Sequence, residues 1–93
     1  MPKYFQDKVC GYYLYFTSLC VVEAMHVHAS DKSLSEAGSA KFFVKEDGST
    51  VLKKRGILKD GETRQIQSFI KKNYKNMYKK WEQYSICGFF RGE

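Results

Sequence analysis

The last third of the chain carries apolar residues at helical spacing, and this stripe limits the folds that the chain can adopt. Its members step by three or four residues: Ile66, Ile70, Tyr74, Met77, Trp81 and Tyr84. An α-helix turns by about 100° per residue, so this spacing places all six side chains on one face. We predict a long amphipathic helix over residues 65–84, with Asp60 as its cap, Glu62 in its first turn and an end near Ser85.

Basic residues occupy the side of this helix opposite the apolar stripe. They are Arg64, Lys71, Lys72, Lys75 and Lys79. Phe69 is the exception to the apolar pattern and is expected to project away from the stripe. Such a basic row can follow the phosphates of a nucleic acid or dock an acidic protein. It is also typical of an ordinary solvated helix face, because lysine is a good helix former.

The first half of the chain alternates between apolar and polar residues in the manner of β-strands. We predict strands over residues 11–16, 21–29, 40–45 and 50–55, and a polar loop over residues 30–39. Residues 46–49 are Glu-Asp-Gly-Ser, and an Asp-Gly pair between alternating segments indicates a hairpin turn. The predicted fold is α+β in a single domain, residues 1–93. It is a four-stranded, mainly antiparallel sheet, a meander with a hairpin, packed against one long C-terminal helix. The tail, residues 88–93, either packs back onto the sheet or frays.

His26 and His28 are the two histidines of the chain, and they lie two residues apart. On a strand this spacing directs both rings to one face, where they could serve as acid and base or contact a phosphate. The alternative is a pair of structural histidines on a half-buried strand. A metal site needs a further ligand. Glu23 should point to the other face by strand alternation, so Asp31 or Glu36 would have to supply that ligand, and we predict neither a metal site nor another cofactor.

Other candidate residues are less informative. Tyr13 and Tyr15 should share one exposed face of the first strand, where they could stack on bases, although strand tyrosines commonly serve packing. The three cysteines, Cys10, Cys20 and Cys87, form no Cys-x-x-Cys motif and predict reduced thiols rather than a disulfide framework. There is no Walker loop, dinucleotide fingerprint or nucleophile elbow, so the sequence leans against an enzyme without excluding one.

The charge and the distribution of apolar residues indicate the environment of the protein. The formal net charge of +6 and a pI near 9.3 favour polyanions or an acidic partner. No apolar run approaches the roughly 20 residues that span a bilayer. The first residues lack the apolar stretch of a signal peptide. We therefore expect a cytoplasmic protein that does not enter membranes.

Several segments together resemble a known family. They are Met1-Pro2, Gly-Tyr-Tyr-Leu-Tyr-Phe at 11–16, Met-His-Val-His-Ala at 25–29, Ala-Lys-Phe at 40–42, Gly-Ile-Leu at 56–58, and the stretch from Ile66 through Phe69-Ile70 to Trp81. In this order they are similar to a bacterial family catalogued as domain of unknown function 4160. The resemblance implies a component of a toxin–antitoxin module, with a cognate antitoxin-like protein as its partner and RNA as a target. Members typically carry an Asp-His pair and a Pro-Pro pair before the His-x-His. Residues 18–24 here are Ser-Leu-Cys-Val-Val-Glu-Ala, so only His26 and His28 carry over.

Three functional hypotheses follow. The leading one is a toxin-like binding component that contacts RNA or a cognate protein through the basic helix face and the histidine strand. The second is a metal-independent ribonuclease with His26 and His28 as acid and base. The third is a homodimeric interaction module, without catalysis, whose exposed aromatic residues form the interface.

Overall fold

The computed structural model describes residues 3–16, 23–31 and 38–91. Within these residues the chain forms one antiparallel sheet in the order β1-β2-β3-β4, followed by one long helix. The elements are β1 (Tyr13–Tyr15), β2 (His26–Ser30), β3 (Ala40–Val44), β4 (Thr50–Lys54) and α1 (Asp60–Trp81). The predicted α+β meander with a C-terminal helix is confirmed.

The strands are shorter than the alternation predicts. The second begins at His26, five residues later than expected, and Val21 and Val22 of the predicted strand lie outside the described residues. Residues 23–25 form a bend instead. Alternation of polar and apolar residues can occur in any segment of mixed composition. A β-strand, in contrast, extends only as far as a neighbouring strand supplies hydrogen bonds.

The predicted hairpin joins β3 and β4. The Lys45 N–H donates to Ser49 O at 2.8 Å, and the Asp47 carboxylate accepts from the backbone N–H of Ser49 at 2.9 Å. Gly48 has φ +88°, and a Cβ there would lie 2.5 Å from Cδ1 of Tyr74. The turn therefore rests directly on α1, and glycine is needed both for its backbone angle and for this close approach.

The core lies between the sheet and α1. The strands contribute Leu14, Val27, Ala29, Phe42 and Val44, and the helix contributes Ile66, Ile70, Met77 and Trp81. Both Ile70 and Trp81 have no exposed surface, and the Trp81 indole donates to Cys87 O at 2.7 Å. The apolar stripe of the helix is therefore the face that covers the sheet, as predicted.

The ends of α1 differ from the prediction. Lys59, not Asp60, is the N-cap residue, and Asp60 is the first helical residue. Glu62 does occupy the first turn, where its carboxylate accepts from the Lys59 N–H at 3.0 Å. The helix ends at Trp81, so Tyr84 falls beyond it and is 49% exposed. The three-to-four-residue spacing of apolar residues therefore continues to Tyr84, three residues beyond the last residue of the helix.

Both ends of the described chain pack against this layer. Phe5 meets the half-buried Phe69 ring edge-to-face at 5.3 Å, so the expectation that Phe69 projects away is wrong. The helix periodicity could not reveal a partner that comes from the other end of the chain. The described part of the C-terminal tail, residues 88–91, packs back onto the sheet: Phe90 donates its N–H to Val44 O at 2.8 Å, and its ring stacks on Phe43 at 4.2 Å. In the described part of the chain, α1 is too polar to cross a bilayer.

Candidate functional site

The two histidines lie side by side on β2. Strand alternation directs both rings to the same face, as predicted, and their ring centroids are 5.2 Å apart in an edge-to-face arrangement. Both are buried: His26 has no exposed surface and His28 has 2%. The structure brings the histidine pair together but encloses it.

His28 sits among groups that keep its ring neutral. Its Nδ1 lies 3.1 Å from Ser39 Oγ, Tyr15 stacks on it at 5.6 Å, and Lys41 is its register partner on β3. Burial is the main cause that lowers the pKa of His28 to about 4, and electrostatic interactions with His26 and Lys41 lower it further. At neutral pH this ring is an uncharged and weak base.

The tyrosines of β1 differ from each other in exposure. Tyr15 is fully buried against His28, so the expectation that it lies exposed is wrong. Tyr13 is half-buried, and the ammonium groups of Lys3 and Lys8 lie 4.4 and 5.3 Å from its ring centroid. A cation already covers the ring of Tyr13.

His26 is held in a defined orientation. Its Nδ1 lies 2.8 Å from Ala24 O, so Nδ1 carries the proton of this hydrogen bond because a carbonyl oxygen only accepts. Its ring also contacts Trp81 at 5.5 Å and Phe43 at 5.6 Å. The backbone oxygen of His26 in turn accepts from the Tyr4 hydroxyl at 2.8 Å. His26 thus links the strand, the end of the helix and the N-terminal segment.

Glu23 lies on the histidine side of the sheet, contrary to the prediction. Its Oε1 is 3.9 Å from His26 Nε2 and 2.9 Å from Lys41 Nζ. The prediction fails because residues 23–25 bend, and strand alternation does not apply outside a strand. The hydrogen bond from Lys41 is the main cause that lowers the pKa of the Glu23 carboxyl.

A metal centre does not emerge from these groups. The described residues contain no set of three or more His, Cys, Asp or Glu side chains placed to hold an ion. Asp31 is exposed at the end of β2, and Glu36 lies outside the described residues. Cys10 and Cys87 are free thiols, and Cys20 also lies outside the described part.

The five predicted basic residues of α1 are all exposed on one side of the helix. We call this set the cationic face: Arg64, Lys71, Lys72, Lys75 and Lys79. At 1.5 Å per residue the row extends over about 22 Å. From Thr63 to Trp81 the helix has no acidic residue, so no carboxylate of the helix lies between the members of the row. A sixth basic residue, Lys80, is half-buried beside the Tyr84 ring, and a count of helix charges would have found it.

The middle of the cationic face touches the hairpin. Lys71 Nζ donates to Asp47 O at 3.0 Å, which is a contact with the β3–β4 turn. Nothing in the helix periodicity could show this contact, because it joins residues 24 positions apart. The cationic face therefore continues toward the turn rather than standing alone.

Comparison with known proteins identifies one family. A family model described as Domain of unknown function (DUF4160) matches residues 11–82, which is more than half of the chain. The matched segment contains the four strands, both histidines and the whole of α1. No curated protein and no solved structure matches the chain.

Proposed function

Since this chain belongs to the family described as Domain of unknown function (DUF4160), a description that names no activity, we propose its function from its own surface: it binds RNA through the cationic face. The observation that carries the proposal is the exposed basic row of α1, which no acidic residue of the helix interrupts. The resemblance noted in the sequence adds the setting, a toxin-like component of a toxin–antitoxin module in the cytoplasm with a cognate antitoxin-like partner.

The geometry of the row suits a polyanion. Basic groups recur on the same side of a rigid helix over about 22 Å, so they can meet several phosphates of one strand without reorganising. Long lysine side chains adapt to small changes in phosphate position. The net charge of +6 adds long-range attraction, which accelerates association.

Burial of the histidines favours RNA binding over RNA cleavage. An acid and a base must come within hydrogen-bond reach of the proton that they transfer. His26 and His28 are enclosed, and the low pKa of His28 keeps its ring uncharged at neutral pH, so it lacks the second proton that a general acid transfers. The ribonuclease hypothesis requires substrate to reach both rings. His26→Ala and His28→Ala would each abolish cleavage if that hypothesis holds.

Charge-removal variants test the proposal. One variant replaces three lysines of the cationic face with glutamine, and a matched control replaces three exposed lysines elsewhere. The test set is Lys72→Gln, Lys75→Gln and Lys79→Gln, and the control set is Lys8→Gln, Lys53→Gln and Lys59→Gln. Both variants lose the same net charge, so a difference between them reports position rather than total charge. Lys71 is left in place because it contacts the hairpin.

Binding of RNA is measured by filter retention or fluorescence anisotropy at several salt concentrations. Each phosphate contact on a single strand contributes about −0.7 to the slope of log K against log salt. The test variant should therefore bind at least about tenfold more weakly, with a slope shallower by about 2, and the control should stay close to wild type. Equal weakening of the two variants, or no binding of RNA at low salt, would contradict the proposal.

A further inference from the structure

A hollow of about 490 Å³ lies beside the cationic face, between the β3–β4 turn and the C-terminal tail. It is lined by Lys45, Glu46, Asp47, Phe90 and Arg91. We propose that this hollow is a nucleobase-binding site and that it makes single-stranded RNA the class of RNA which the protein binds. The inference rests on the proposed function and adds a stacking contact to it.

The aromatic wall of the hollow is fixed in place. The Phe90 ring stacks on Phe43 with an interplanar angle of 16°, and the Phe90 N–H is tied to Val44 O. Phe90 is half-buried, so part of its surface faces the hollow. A base that enters would meet a ring that is already oriented, and little conformational entropy would be lost in ordering it.

The opposite wall, which the β3–β4 turn forms, is also fixed in place. The turn is closed by hydrogen bonds from Gly48 N–H to Lys45 O at 2.9 Å and from Ser49 Oγ to the Asp47 carboxylate at 2.6 Å. Gly48 packs against the Tyr74 ring of α1. Both walls are therefore held in place by packing and hydrogen bonds, so the hollow is present before any ligand binds.

The charges that line the hollow select the part of a nucleotide that enters. Glu46 and Asp47 give one wall negative charge that would repel a phosphate, whereas the Glu46 carboxylate can accept hydrogen bonds from the amino groups of a base. Lys45 and Arg91 add cations that can hold the phosphates on either side. This mixture suits a base inside and a phosphate at the rim.

The hollow adjoins the cationic face at one residue, Lys71. Lys71 belongs to that face, and it donates to the backbone of Asp47, which lines the hollow. An RNA strand that lies along α1 can therefore extend past Lys71 to the hairpin turn and place a base in the hollow. Bases in a duplex are paired and stacked on one another, so only an unpaired base can turn onto Phe90.

The experiment compares one RNA oligonucleotide as a single strand and as a duplex, with wild-type protein and two phenylalanine variants. Phe90→Leu removes the aromatic wall. The matched control is Phe89→Leu, because the neighbouring Phe89 ring stacks instead on Tyr78 at 4.1 Å. Stacking of one base on an aromatic side chain is worth about 1–3 kcal/mol, which converts to a loss of roughly five- to 150-fold. We expect that loss for Phe90→Leu with the single strand, little change for Phe89→Leu, and weak duplex binding by all three.

A second measurement does not depend on a variant that could unfold. A single strand containing 2-aminopurine should lose fluorescence on binding to wild-type protein, because stacking quenches this base. If binding depends on the lysines of the cationic face but no quenching occurs, the base-binding site is refuted and the proposed function stands. Duplex binding as tight as single-strand binding would likewise refute it. If wild-type protein binds no RNA at low salt, both proposals fall.

Discussion

Acid should destabilise the protein through His28, and the structure sets the size of the effect. The pKa of His28 falls from its ordinary value of 6.5 to about 4 because the ring is buried beside His26 and Lys41. A base with a lower pKa in the folded state binds fewer protons there than in the unfolded chain. The stabilisation is therefore complete above pH 6.5 and is lost as the pH falls from 6.5 toward 4.

The magnitude follows from the two pKa values. One pKa unit corresponds to about 1.36 kcal/mol, so keeping His28 neutral contributes about 3 kcal/mol to the free energy of unfolding at neutral pH. About 2.5 kcal/mol of this is lost between pH 7 and pH 4.5. The side chain is only 2% exposed, so solvent screening reduces the figure little. For a domain of 93 residues such a loss is a large part of the total stability.

The assay compares wild type with His28→Asn, whose amide can take the place of Nδ1 beside Ser39. Urea denaturation at pH 7 and pH 4.5 gives the loss of stability on acidification for each protein. Carboxyls with lowered pKa values, such as Glu23, act in both proteins and cancel in the comparison. The wild type should lose about 2.5 kcal/mol more than the variant. Equal losses, or an NMR titration of His28 near pH 6.5, would refute the reasoning.

Three substitutions test the packing. Gly56→Ala should strongly lower the melting temperature, because a Cβ there would lie 2.5 Å from the backbone nitrogen of Ala40. Gly38→Ala is the control and should lower it less, since Gly38 has a similar positive φ but open space around it. Similar melting temperatures for the two variants would contradict this contact. Trp81→Ala should lower the free energy of unfolding by about 3–5 kcal/mol in urea denaturation, since the indole is fully buried in the core; a loss below about 1 kcal/mol would show that the site is not enclosed.

Helical spacing predicted α1 well because it is a local property. Ile66, Ile70 and Trp81 recur at the period of one turn, and any compact fold must bury that stripe. The same periodicity placed the cationic face on the exposed side, where every one of its five residues lies. The errors lay at the helix ends, where Asp60 and Tyr84 depend on capping and turn contacts, and at Phe69, whose partner Phe5 comes from the N-terminal segment.

The surroundings of the histidines could be predicted only in part. Alternation along the strand correctly placed His26 and His28 on one face. It wrongly placed Glu23 on the other, because the strand begins only at His26. Alternation also could not show that Tyr15 and Ser39 enclose His28, since these residues come from separate parts of the chain.

The fold class, the buried face of the helix and its positively charged face could all be predicted from the sequence, because each follows from the repeat of side-chain polarity along local segments. The enclosure of the histidines, and the hollow that Phe90 lines together with the hairpin turn, became visible only in the folded chain. Those features depend on contacts between residues distant in the chain. Local polarity patterns do not encode which distant segments will meet.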